Sequence, residues 1–252
     1  MPNRVRGVLQ YDGTGYRGWQ RQPDAPTVQE TCERALENVL GEPVAVVAAS
    51  RTDTGVHARG QVVHFEHRGR LEPPELRRAW NAHLPCDIWV ERLENARPGF
   101  HARHDARRRT YHYYVAEGPE SPSPFVRRYA WAQVRALDWG SIETATSRLL
   151  GRHDFRCFAK GDGRGVLEED RGMCTILDVR WDPTEQGRVL KMTADRFLRH
   201  MVRAIVATLV AVGRGRVSEQ ALAGAVEGRG PRISAGAAPP HGLFLWKVEY
   251  DR

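Results

Sequence analysis

The order in which hydrophobic period changes along the chain narrows its fold more than any single residue does. Residues 4–11 (RVRGVLQY) alternate enough to predict a strand. After a turn-rich polar stretch, Thr27-Val28-Gln29-Glu30 forms a capping box, with Thr27 as N-cap and Glu30 three residues later. Val28, Cys32, Ala35, Leu36, Val39 and Leu40 then recur on one helical face. Strands are expected at 44–49 (VAVVAA) and 61–66 (QVVHFE). A second helix follows Pro73-Pro74, with Leu76, Ala79, Trp80 and His83 as its inner side, and a strand over 88–91 closes the unit. Strand, helix, strand, strand, helix, strand is the split βαβ, or ferredoxin-like, order.

The second half repeats that order with insertions. Strands are predicted at 110–115, 175–181, 188–194 and 243–250, and helices at 138–150 and from Ser218. Residues 196–213 (RFLRHMVRAIVATLVAVG) read as a largely buried helix whose apolar part, 201–212, ends at Gly213. The elements recur, but no sequence repeat does. The fold class is therefore α+β, with two ferredoxin-like halves, residues 1–106 and 107–252, meeting near the arginine run at 106–109. Residues 161–171 (GDGRGVLEEDR) read as a mobile polar loop.

No apolar run reaches the roughly 18 residues of a membrane span, and the first residues lack a signal-peptide core. The four cysteines lie far apart with no C-x-x-C pair, which argues against a disulfide framework or a cysteine zinc site. A cytoplasmic protein without a membrane partner is expected. The net charge of +7 favours a polyanionic partner, above all nucleic acid. Arginine carries nearly all the positive charge, since Lys160, Lys191 and Lys247 are the only lysines. A GC-rich genome would explain that preference but not the excess.

Asp53 lies in SRTDTGV, between two expected core strands, and directly follows Arg51-Thr52. Asp and Gly suit turns for purely local reasons. A carboxylate beside central strands is also expected to be partly buried, which is costly unless a cation or hydrogen bonds hold it. A paired, ionised aspartate in a dry cleft can act as a nucleophile at an anomeric carbon. Arg107, Arg108 and Arg109 followed by Tyr111, Tyr113 and Tyr114 combine charge with aromatic faces, which suits stacked bases and phosphates. Tyr111 and Tyr113 share one face of their strand. Arg203 falls within an apolar pattern one turn after Arg199, so it either has an acidic partner or snorkels to solvent. His57 beside Asp53, His101 with His104 and Asp105, and His153 with Asp154 invite a metal-dependent hydrolase reading. The His57 and His153 pairs have no third ligand set by spacing, and the His101 segment precedes a strand rather than sitting within an evident helix.

The segments YDGTGYRGWQRQP, TVQE, SRTDTGVHARGQVVHF, NAHLPCDIWV, FHARHDARRRTYHYYV, GRHDF, RFLRHMVRAIV and APPHGLFLWKVEY resemble, in order and over nearly the whole chain, the TruA family of tRNA pseudouridine synthases. The resemblance implies that Asp53 is the nucleophile, that Tyr111 stacks on the target uracil and is a candidate proton acceptor, and that Arg203 pairs with Asp53. Arg51 would hold the flipped nucleotide or its backbone, with His57 and Arg59 as further candidate substrate-binding residues. The family fold fuses its two halves into one mixed, mainly antiparallel sheet with flanking helices and a basic central cleft. The family acts as a homodimer on the tRNA anticodon stem-loop at positions 38, 39 and 40.

The chemistry so implied is an isomerisation, which exchanges no electrons and gains no atoms. It therefore calls for no metal or cofactor. Two departures from the family pattern stand out. Cys174 occupies a position where the family often has arginine, so an RNA contact in that strand is either lost or supplied by Arg171. Ala204 and Ala207 stand where the family usually carries asparagine and glycine. The competing readings are an RNA-binding protein or RNA chaperone without chemistry, and the metal-dependent hydrolase.

Overall fold

The alternation in residues 4–11 belongs to β1 (Asn3–Tyr11), which buries Val5, Leu9 and Tyr11 while Arg4, Arg6, Val8 and Gln10 stay half-exposed. The computed structural model describes residues 3–159, 172–227 and 236–251. The polar loop expected at 161–171, with Arg171, lies outside them. Ten strands and six helices occur among the described residues. They form two compact units, Met1–Arg107 together with Phe244–Arg252, and Arg108–Leu243.

The first unit runs β1, α1 (Val28–Leu40), β2 (Val47–Ala48), β3 (His57–His67), α2 (Pro73–His83) and β4 (Ile88–Asn95). Its sheet order is β4-β1-β3, and both β2 and β10 (Leu243–Tyr250) lie along β3. β2 pairs antiparallel with Val63 and His64, while β10 pairs in parallel with His57 and Ala58. This shared edge leaves only two residues of 44–49 in a ladder, although Val44, Val46, Ala48 and Ala49 are all buried. Sequence alternation reports burial and cannot show that another strand occupies the edge.

Helix α1 starts as the capping box predicts, the Thr27 side chain accepting from the Glu30 N–H, and it ends at Gly41 with φ 70°. It buries Val28, Cys32, Ala35 and Leu36, and Val39 and Leu40 are half-exposed. In α2 the inner face is Pro73, Leu76 and Trp80. Trp80 Nε1 donates to the Cys32 carbonyl at 3.2 Å, and its ring meets Phe65 edge-on at 5.4 Å. Ala79 is only half-exposed, and His83, expected inside, is exposed with Nδ1 2.9 Å from the Ala79 carbonyl. It lies in the last turn of α2.

The second unit contains β5 (Ala106–Glu117, from Arg108 onward), α3 (Pro124–Arg127), β6 (Trp131–Gln133), α4 (Trp139–Ser147), β7 (Gly151–Asp154), β8 (Met173–Thr184), β9 (Gly187–Ala194), α5 (Met201–Gly213) and α6 (Glu219–Val226). Its strands follow the order β5-β9-β8-β7, all antiparallel, with β6 parallel to β5. Asp138 and Ser218 cap α4 and α6 through their side chains. Helix α5 begins at Met201 rather than at residue 196. Before it, Asp195 Oδ1 accepts from the N–H groups of Thr175 and Arg196 at 2.9 and 2.7 Å, and His200 takes φ 64°. Hydrophobic periodicity does not register such a turn. Ala207 is buried in α5 and Ala204 half-exposed, while Cys174 is 1% exposed on β8. Burial pushes the Cys174 thiol up to about 11, so that site suits a small uncharged side chain.

Two buried imidazoles give this fold a pH dependence. Burial, then His101 and Arg4, push His64 down to about 4. Burial, then Lys191 and Arg180, do the same to His112. Between about 6.5 and 4 the unfolded chain binds protons that the folded chain does not, so stability falls as pH falls through that window and loses nothing more below it. Each histidine is expected to cost about 1–2 kcal/mol by pH 5. Denaturation midpoints at pH 7, 6 and 5 measure the slope, and His64→Gln with His112→Gln should flatten it.

Candidate active site

The loop between β2 and β3 is held by main-chain bonds on both sides of Asp53. The Trp19 N–H donates to the Thr52 carbonyl at 3.1 Å, the Gly55 N–H to Tyr16 at 3.2 Å, and the Val56 N–H to Asp53 at 3.1 Å. Gly55, with φ 73°, turns the chain back toward β3. Asp53 is left half-buried, and Arg51 and Thr54 point outward as exposed residues. A carboxylate on so constrained a backbone loses little freedom when a substrate binds.

The stretch opposite, YDGTGYRGWQ, is itself anchored. The Tyr16 hydroxyl donates to Asp87 Oδ1 at 2.8 Å, and burial first, then this contact, raises its pKa. Val28 and Gln29 N–H groups donate to the Gly18 and Trp19 carbonyls. Gln29 Oε1 accepts from Gln20 Nε2 and the Arg21 N–H, while its Nε2 donates to the Val46 carbonyl. Gln29 thus joins α1, the Trp19 loop and the strand segment leading to Asp53.

His57 opens β3 rather than lying in the loop. It is fully buried, its Nδ1 accepts from the Gly13 N–H at 3.0 Å beside Asp12, and its ring stacks on Phe244 at 4.6 Å. That is the environment of a support, not of a group presented to substrate. Arg59 is exposed, with its guanidinium 5.6 Å from the Trp246 ring centre.

In the second unit Tyr111 is 7% exposed on β5, with its ring edge-on to Phe197 at 5.0 Å. Tyr113 donates from its hydroxyl to the Pro239 carbonyl at 2.9 Å, and burial raises its pKa. Arg203 lies in the first turn of α5 and is half-buried. Its Nε donates to the Ala238 carbonyl at 2.7 Å, and the Ala238 N–H returns a bond to the Arg203 carbonyl. The guanidinium plane is thereby oriented by main chain.

The remaining histidine motifs are local ties. His101 Nδ1 accepts from the N–H groups of Arg103 and His104, and Asp105 accepts from Arg97 and the His101 N–H. Asp154 caps the turn over Phe155–Phe158 and pairs with Arg156. Among the described residues no group of three or more His, Cys, Asp or Glu side chains could hold a metal ion. No helix among them is long and apolar enough to cross a membrane.

Comparison with known proteins accounts for nearly the whole chain. A family model described as tRNA pseudouridine synthase matches residues 8–105 and 145–251. A protein of Chlorobaculum tepidum named tRNA pseudouridine synthase A is 40% identical, covering 98% of this chain and 97% of its own. Namesakes from Fervidobacterium nodosum and Shouchella clausii are 41% and 39% identical, covering 97% and 99% of this chain and 98% and 94% of their own. The matched residues include the Asp53 loop and Arg203, and with relatives this similar over this length the chain belongs to the tRNA pseudouridine synthase family, a family of isomerases.

Proposed function

We propose that this protein isomerises uridine to pseudouridine in the tRNA anticodon stem-loop, at positions 38, 39 and 40, with Asp53 as nucleophile. The observation that carries the reading is full-length relatedness to proteins named tRNA pseudouridine synthase A. The Asp53 loop supports it, since its carboxylate is half-buried on a main chain bonded at Thr52, Asp53 and Gly55. The target base leaves its stack, and Tyr111 and phosphate-binding arginines offset that cost. Asp53 attacks the flipped uridine and bonds to it, the C1′–N1 bond breaks, and the freed uracil turns and rejoins C1′ through carbon 5 as the bond to Asp53 breaks and its carboxylate is released. The proton on carbon 5 leaves, with Tyr111 as its acceptor, and N1 gains one. The cationic partner this reading assigns to Asp53 is Arg203, and Arg51 and Arg59 meet the RNA backbone. The enzyme works in the cytoplasm as a homodimer whose basic cleft receives tRNA.

The test is tRNA tritiated on carbon 5 of uridine, incubated with the protein in EDTA and without added cofactor. Tritium enters solvent as pseudouridine forms, and release stoichiometric with modified sites is the expected result. Binding without release would favour an RNA-binding protein, and activity lost only with chelator would favour a metal-dependent enzyme.

A further inference from the structure

Beneath the Asp53 loop lies a chain of buried polar side chains. Tyr11, Thr52 and Gln61 are 4, 6 and 0% exposed. The Gln61 carboxamide pairs with the Ser50 peptide unit, Nε2 donating to the carbonyl at 2.6 Å and Oε1 accepting from the N–H at 3.3 Å. Because a peptide N–H can only donate, this pairing fixes which way the carboxamide faces. Its other Nε2 hydrogen is then available to the Tyr11 hydroxyl, 3.4 Å away. That oxygen accepts from Gln61 and lies 2.8 Å from Thr52 Oγ1, a hydroxyl–hydroxyl bond that either partner can donate. The relay runs Gln61 to Tyr11 to Thr52 and ends on the residue directly before Asp53.

An apolar trio would fill this space as well. Gln61 sits on the face of β3 that also carries Val63 and Phe65, opposite Leu9, Gly7 and Val5 of β1. A polar side chain at such a position brings orientation that an apolar one lacks, provided each group is bonded. The relay holds Ser50 and Thr52 from two neighbouring strands of the sheet, so the loop inherits the rigidity of β1 and β3.

We propose that Tyr11, Thr52 and Gln61 are positioning residues that aim the Asp53 carboxylate by clamping residues 50–52, an inference that rests on Asp53 being the nucleophile. Misplacing a reacting group by an ångström costs about a hundredfold in rate without a matching change in binding. Tyr11→Phe and Thr52→Val each remove one hydroxyl and keep the shape.

The experiment measures kcat and KM by tritium release for Tyr11→Phe, Thr52→Val, Thr52→Ser and the double variant Tyr11→Phe/Thr52→Val, with Asp53→Asn alongside and a thermal melt of each. Each single hydroxyl deletion should lower kcat about ten- to a hundredfold with KM within about twofold. Thr52→Ser should restore most of the rate. The double variant should be no slower than the slower single one, since both deletions break the same bond. Wild-type kcat in the single variants, losses that multiply in the double one, or no rescue by serine would each overturn the clamp. Release by Asp53→Asn would sink the nucleophile assignment itself, and the clamp with it, whereas an inactive Asp53→Asn beside unaffected clamp variants would sink the clamp alone.

Discussion

Asp53→Asn is expected to lose at least about 10⁴-fold in pseudouridine formation, because the substitution keeps the shape of the side chain and removes its charge and nucleophilicity. Binding of tRNA should persist or tighten slightly, since one negative charge near a polyanion disappears. The fold should survive, because the main-chain bonds to the carbonyls of Thr52, Asp53 and Tyr16 are kept and the asparagine side chain has the same shape. Tritium release, filter binding of tRNA and a thermal melt, made on one preparation, separate these effects. Asp53→Ala guards against slow deamidation of the asparagine variant back to aspartate. Release at the wild-type rate from either variant would remove Asp53 from the chemistry. Loss of release with loss of tRNA binding would make Asp53 a binding residue instead.

Much of this organisation was legible in the sequence, and the parts that were not share a cause. The helices announced themselves where a cap and a period coincided, as at Thr27 before α1 and Ser218 before α6. Strand positions followed from alternation, but extents did not, because a strand ends where its neighbours end. β2 is short where β10 takes the rest of the β3 edge, and β5 reaches back to Ala106 through three arginines whose polarity argued for a junction. Motif resemblance singled out Asp53, Tyr111 and Arg203. It could not say that His57 faces Asp12 and Gly13, since that depends on where β1 ends beside β3. Gln61 did leave a signal, a carboxamide at an inward position of an otherwise apolar alternation. Tyr11 left none, because a tyrosine at the end of a strand is ordinary.

The glycines of YDGTGYRGWQ give the second large effect, and they give it unequally. A Cβ on Gly13 would stand 2.1 Å from the Val56 carbonyl oxygen, and one on Gly18 2.5 Å from that of Thr52. Both obstacles are main chain of the Asp53 loop, so no side-chain rotation relieves them. Gly18 also has φ 90°, a conformation that costs an L-residue about 1–2 kcal/mol by itself. Gly13→Ala and Gly18→Ala are each expected to lose about 3 kcal/mol or more of stability and, in whatever protein stays folded, to displace the loop and slow catalysis at least about tenfold. Gly15 lies between them with nothing within 4 Å of its Cβ position, so Gly15→Ala should leave both midpoint and rate near wild type. Urea midpoints read the stability term, and tritium release per folded molecule reads the second. A Gly13→Ala protein with unchanged midpoint and rate would mean that the 13–18 segment does not press on the Asp53 loop in solution. A rate loss that exceeds the loss of folded protein at Gly13 and Gly18, and not at Gly15, would show that the nucleophile's placement depends on backbone contact with a segment that carries no catalytic group of its own.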